Sequence, residues 1–178
     1  MKPAIFLDRD GTLVEEVNYL SRVEDLRLFP SAAAAIREFK NSGFLVIVVT
    51  NQSGIGRGIF DEQAMHAVHR QIQVELNGAI DQFYFCPHLP CDGCLCRKPG
   101  LGMIRAAQAD FAIDLFNSWF VGDKKIDVET GQAAGVKAAL VLTGYGKLHK
   151  ESIQTPPELV CDDLGSAAEM IIGLQNGH

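Results

Sequence analysis

Short apolar runs alternate along this chain with longer stretches in which apolar residues recur at helical spacing. Ala4-Ile-Phe-Leu7 is an apolar run cut off by Asp8 and reads as a buried strand. Ala32, Ala35, Ile36 and Phe39 mark one face of a helix, with Ser31 placed to cap it and Gly43 to stop it. Phe44-Leu-Val-Ile-Val-Val49 is the strongest strand signal, apolar on both faces and rich in β-branched residues, as a central parallel strand should be. A second helix is predicted from an Asp61 cap to about Leu76, ended by Asn77-Gly78, and a third strand over Gln82 to Phe85. Gly102 to Phe111 and Ile126 to Ala134 read as helices, and Ser118 to Val121 and Lys137 to Leu142 as strands. A strand near Leu159 to Cys161 and a helix over Ser166 to Leu174 close the chain. Strand and helix alternate with no internal repeat or linker, which predicts one α/β domain over residues 1–178. Its expected architecture is Rossmann-like: a mostly parallel sheet with helices on both faces.

Composition narrows the setting. In 178 residues, hydrophobic side chains make up 47% and charged ones 21%, an ordinary globular mixture. Sixteen Lys and Arg against 22 Asp and Glu give a net charge of -6, with no basic block, so neither a nucleic-acid partner nor an anionic membrane surface is expected. The run Phe44 to Val49 falls far short of the ~20 residues that span a bilayer. Ala4 to Leu7 is too short for the core of a signal peptide. A cytoplasmic monomer is the expectation. Four of the five cysteines (Cys86, Cys91, Cys94 and Cys96) fall close together, and under reducing conditions such a cluster more often holds a metal than a disulfide.

In an open parallel sheet, ligands bind beyond the carboxyl ends of the strands. Asp8-Arg9-Asp10 follows the first strand, Thr50-Asn51-Gln52-Ser53-Gly54 the second, Cys86-Pro-His88 the third and Gly122-Asp123 the fourth. Asp8 and Asp10, two apart, would present both carboxyls on one side of an extended chain, where they repel unless a cation or a proton relieves them. Asp123 could complete an oxygen site for Mg2+. Thr50 offers a hydroxyl, Ser53-Gly54 and Gly56 offer approachable backbone N–H groups, and Arg97-Lys98 offer positive charge. Together these groups describe a phosphoryl site.

Asp8-Arg-Asp-Gly-Thr12, Thr50-Asn51, Lys98 and Gly122-Asp123 resemble, in order and spacing, the four motifs of the haloacid dehalogenase superfamily. The segment Thr50 to Gly58 and the Cys86-Pro-His to Cys-Arg-Lys-Pro99 stretch are similar to the heptose bisphosphate phosphatases and their relatives, the histidinol phosphatases. The resemblance runs from about Ala4 to Gly144. It implies Asp8 as nucleophile, Asp10 as general acid and base, Thr50 and Lys98 as holders of the phosphoryl oxygens, and Mg2+ on the Asp8 and Asp123 side chains and the Asp10 backbone carbonyl. It further implies a small phosphorylated sugar as substrate, the 7-phosphate of D-glycero-D-manno-heptose 1,7-bisphosphate, on the route to lipopolysaccharide core precursors. Glu16 to Tyr19, with Asn18 among them, would read the sugar. Arg9, Asn51, Gln52, Ser53, Arg57, Arg97 and Lys124 complete the expected substrate contacts.

Cys86-x-His88 and Cys94-x-Cys96 supply three thiolates and one imidazole, a closed set suited to structural Zn2+. Cys91 is a competing ligand or a spectator; the family pattern matches the other four. A zinc-pinned loop is expected to carry both Arg97 and Lys98 over the phosphoryl site. Two features depart from the heptose enzymes, while Gln52 to Gly58 and Tyr19 keep their pattern, and histidinol phosphate is the alternative substrate. Only Leu89 to Gly93 separate His88 from Cys94, and Val14 stands where those enzymes usually show Asn. A phospho-acceptor switch domain or a zinc-stabilised interaction module would leave part of this constellation without a purpose.

Overall fold

The computed structural model describes residues 1–177. Six strands, β1 (Ala4–Leu7), β2 (Leu45–Asn51), β3 (Gln82–Cys86), β4 (Trp119–Gly122), β5 (Lys137–Val141) and β6 (Leu159–Cys161), form one sheet in the order β3-β2-β1-β4-β5-β6. Every neighbouring pair is parallel. The helices are α1 (Ala32–Asn41), α2 (Ser53–Gly56), α3 (Glu62–Glu75), α4 (Gly102–Asp110), α5 (Lys125–Ala134), α6 (Gly146–Lys150) and α7 (Leu164–Asn176). Among the described residues, no helix is long and apolar enough to cross a membrane.

The alternation within the strands explains the layers. Ile5, Leu7, Val46 and Val48 point to one face and pack with Ile36 and Phe39 of α1, Val68 and Ile72 of α3 and Ile171 of α7. Ala4, Phe6, Ile47 and Val49 point to the other and meet Met103, Ile104 and Ala107 of α4, while Val128 of α5 packs on Ala138 and Leu140. Strands buried on both faces need continuous apolar sequence, which is what β1 and β2 carry. Each fully buried side chain of this size contributes about 1.5–3 kcal/mol.

The strand order reverses beside β1, so the chain leaves β1 and β4 in opposite directions across the sheet and opens a crevice between their carboxyl ends. The expected Rossmann-like three-layer architecture is therefore present. The second strand runs two residues further than its apolar run, to Asn51, because Thr50 and Asn51 still pair with Phe85 and Cys86 of β3. Asp61 caps α3 as expected, its side chain accepting from the Ala64 N–H. Ser31 does not cap α1 with its side chain: its own backbone is already right-handed helical, which turns the hydroxyl away from the first-turn N–H groups. The short helices α2 and α6, each a single turn or little more, lie outside the predicted elements.

Candidate active site

Leu7 is the last residue of β1, and the next residue carries its carboxylate straight into the crevice. Asp8 is 4% exposed, and its N–H still pairs with the Val121 carbonyl of β4 at 3.1 Å. Its Oδ1 lies 2.9 Å from Lys98 Nζ and its Oδ2 3.7 Å from Lys124 Nζ. Burial alone would raise the Asp8 pKa; the two lysines outweigh it and hold the carboxyl below its ordinary value. Asp123, fully buried after β4, accepts from the Tyr145 N–H at 2.8 Å and faces the Thr12 hydroxyl at 3.5 Å. Burial and the neighbouring Asp8 charge push Asp123 up to about 7.

Carboxylate oxygens of Asp8, Asp123 and Asp127 all lie within 4.8 Å of one another. Such a set fits a hard divalent cation, whose charge relieves the repulsion that raises Asp123. The turns around it are closed in. A Cβ on Gly11 or on Gly144, both at positive φ, would overlap Asp123 Oδ2.

Asp127 did not figure among the sequence candidates. It sits on the first turn of α5, four residues past Asp123, and does two things at once. Its Oδ2 accepts from the Lys124 N–H at 3.0 Å, and its Oδ1 pairs with Lys98 Nζ at 2.7 Å. The Gly-Asp pair followed by an aspartate four positions on was the available signal. Lys98 itself is 2% exposed and also donates to the Val49 carbonyl at 2.9 Å. Burial alone would lower its pKa, but Asp127 and Asp8 raise it, so Lys98 stays charged.

The Asp10 carboxyl lies outside the acidic trio. Arg9 forks it, Nε reaching Oδ2 and Nη2 reaching Oδ1, each at 3.0 Å. Gln52 Nε2 bridges Asp10 Oδ2 at 2.9 Å and Thr50 Oγ1 at 2.8 Å. The backbone carbonyl of Asp10, by contrast, faces Lys124 Nζ at 3.5 Å. Side chain and carbonyl of one residue thus serve two different neighbourhoods.

A cavity of about 130 Å³ opens above these groups. Glu16, Asn18 and Tyr19 form one wall, Asn51, Gln52 and Ser53 another, and Arg9, Asp10 and Lys124 the floor. Lys124 pairs with Glu16 at 3.2 Å; surrounding carboxylates raise its pKa against the lowering effect of burial. Tyr19 adopts φ 60, in the left-handed region that a tyrosine seldom occupies. Arg9 forms part of this floor through a guanidinium already committed to Asp10 and Gln52, with Nη2 donating to Gln52 Oε1 at 3.0 Å. Asn51 clasps Lys98, accepting from its N–H at 3.0 Å and donating to its carbonyl at 3.3 Å.

Two expected substrate contacts do not converge on this cavity. Arg57 is exposed beyond α2. Arg97 turns its guanidinium to the His88 carbonyl at 3.1 Å, which ties it to the cysteine loop, so only Lys98 of the pair reaches Asp8.

Residues between β3 and α4 form that loop. Cys96 Sγ is 3.2 Å from Cys86 Sγ, 3.5 Å from Cys94 Sγ and 3.2 Å from His88 Nδ1. Burial, then hydrogen bonding with Cys96, pushes the Cys86 thiol up to about 12, so a cation is what would let all three sulfurs ligate as thiolates. The separations suit a tetrahedral ion with Zn–S near ~2.3 Å. Cys91 is exposed and stands outside the cluster. Cys161, the fifth cysteine, is buried in β6.

Comparison with known proteins agrees with this arrangement. The HAD-hydrolase-like family matches residues 95–167. The D-glycero-D-manno-heptose-1,7-bisphosphate 7-phosphatase of Thermosynechococcus vestitus is 38% identical over 96% of this chain and 95% of its own. The D-glycero-beta-D-manno-heptose-1,7-bisphosphate 7-phosphatase of Pseudomonas putida is 38% identical over 94% and 98%. Among solved structures, the B. bronchiseptica D,D-heptose 1,7-bisphosphate phosphatase complexed with magnesium and phosphate aligns with a TM-score of 0.90 at 33% identity, covering 98% of this chain and 99% of that one.

Proposed function

The chain belongs to the heptose bisphosphate phosphatase family of haloacid dehalogenase-like hydrolases, and on that premise we propose that it removes the 7-phosphate of D-glycero-D-manno-heptose 1,7-bisphosphate. One observation carries the reading: the Asp8 carboxylate is buried beside Asp123 and held 2.9 Å from Lys98 Nζ at the reversal point of the sheet.

Asp8 attacks phosphorus, a bond forms from its carboxylate oxygen, and the bond from phosphorus to the sugar oxygen breaks. Asp10 gives its proton to that departing oxygen. The resulting Asp10 carboxylate takes a proton from the water that hydrolyses the aspartyl-phosphate, which releases phosphate and restores Asp8. Lys98 and Thr50 hold the phosphoryl oxygens. Arg9 and Gln52 keep Asp10 aimed at the cavity rather than at the acidic trio. The Asp8 and Asp123 carboxylates and the Asp10 carbonyl would hold Mg2+, which supplies charge neutralisation for the transferring group. Cys86, His88, Cys94 and Cys96 would hold a structural Zn2+ that fixes the loop leading to Lys98.

The polar wall of Glu16, Asn18 and Tyr19 supports a hydroxyl-rich leaving group, since each side chain can exchange hydrogen bonds with a sugar. The reading takes residues 1–178 as one catalytic domain, acting as a cytoplasmic monomer in the supply of heptose for lipopolysaccharide core. The deciding experiment compares kcat/KM for heptose 1,7-bisphosphate and for histidinol phosphate on one preparation with Mg2+. A clear preference for the heptose ester is expected. Preference for histidinol phosphate would overturn the substrate, and no phosphate release from either would overturn the enzyme.

A further inference from the structure

Arg9 is 1% exposed, and a buried guanidinium must find acceptors for its N–H groups. Three of its hydrogen bonds go to Asp10 and Gln52; the fourth points the other way, from Nη1 to His69 Nε2 at 3.2 Å. His69 comes from α3, where it is the polar residue on an otherwise apolar buried face of Met65, Val68 and Ile72. Its ring stacks on Phe83 of β3, centroids 4.4 Å apart and nearly parallel, while His66 meets it edge-on. We propose that His69 is a positioning residue for the phosphatase reaction: by accepting from Arg9 it fixes the guanidinium plane that holds both oxygens of Asp10.

The geometry requires one tautomer. Nε2 accepts only if it is unprotonated, so the ring proton sits on Nδ1. Burial, followed by the Arg9 and His66 charges, pushes the His69 pKa down to about 3, which keeps the ring neutral and an acceptor. Phe83 removes the rotational freedom of the ring, and the ring in turn removes that of the guanidinium. Without the acceptor, Nη1 would be left without its partner in a buried place, and the guanidinium would be held from the Asp10 and Gln52 side alone. A proton donor misplaced by ~1 Å loses about a hundredfold in rate.

This inference rests on the phosphatase reading, and its test separates the two. In His69→Leu, kcat on an aryl phosphate with Mg2+ should fall by about 10–100-fold while KM changes little, the size expected when an outer support of a reacting group is lost. His69→Gln keeps an acceptor oxygen and should recover most of the lost kcat. A folded His69→Leu protein with the parent kcat, or a Gln variant as impaired as the Leu variant, would overturn the proposal. Nitrogen NMR of the unsubstituted protein decides the contact even if the Leu variant does not fold. A neutral His69 protonated on Nδ1 is expected, and an Nε2–H or doubly protonated ring would overturn it. Absence of turnover in the unsubstituted protein would sink the enzyme reading instead, with the NMR result still standing on its own.

Discussion

At the sheet rim, Asp8 and Lys98 are almost wholly buried, and the rim carboxylates Asp8 and Asp123 each follow directly on a strand. In the cysteine loop, Cys94 and Cys96 are half-buried, and no strand or helix spans the stretch from the end of β3 to the start of α4. Both regions crowd groups that repel or compete. The rim does so with backbone already committed to a parallel sheet, and Lys98 and Lys124 offset part of its negative charge before any ligand arrives. The loop has only its thiols and one imidazole to hold it, so its order depends on what they bind. Lys98 belongs to both regions, two residues beyond Cys96 and inside hydrogen-bond distance of Asp8 and Asp127.

The sharpest way to separate the two regions is to disable the rim alone. Asp8→Asn removes the attacking oxygen while keeping the shape, so turnover should fall on the order of 10⁴-fold or more. Phosphate release and a circular dichroism melt should show inactivity with the fold retained. Asp127→Asn goes further into the rim by taking away the closest partner of a buried lysine, a loss of about 3 kcal/mol measured by urea unfolding. A smaller effect would mean that Asp8 alone neutralises Lys98.

The loop is tested next. Cys96→Ser should release zinc from protein purified without chelator and lower kcat/KM by about 10–100-fold through a loosened Lys98, with Cys91→Ser as the unaffected control. Metal analysis and kinetics on the same samples check both halves. If zinc loss leaves kcat/KM unchanged, the rim holds Lys98 without the loop.

The last effect concerns pH. His69 has an ordinary pKa near 6.5 when unfolded and about 3 when folded, so below pH 6.5 the unfolded chain takes up a proton that the native protein refuses. Its contribution to stability is complete above pH 6.5 and is lost as pH falls toward 3, by about 1.4 kcal/mol per unit at most. Between pH 6.5 and 4.5, urea unfolding should therefore weaken more steeply in the unsubstituted protein than in His69→Gln.

Much of this was legible in the sequence because strands buried on both faces have to be continuously apolar. Phe44 to Val49 announces itself, and whatever follows such a strand lands at the rim. Asp8, Thr50 and Asp123 were readable for that reason. Only its spacing from Gly122-Asp123 pointed to Asp127, and nothing pointed to His69, because both lie on helices and act across the fold: their partners are 29 and 60 positions away in the chain. Arg97 misled for the complementary reason. Adjacency to Lys98 says where the backbone goes, whereas the His88 carbonyl decides where the guanidinium goes.

The two glycines pressed against Asp123 divide the molecule by what it can afford to change. Not even a methyl group fits at Gly11 or Gly144, so the chemistry sits in a mould closed to variation from two turns at once. The wall from Glu16 to Tyr19 carries no such lock. New leaving groups can be accommodated there by exchanging side chains, and a lineage could diversify its diet of esters while the phosphorus-handling apparatus beneath stayed frozen.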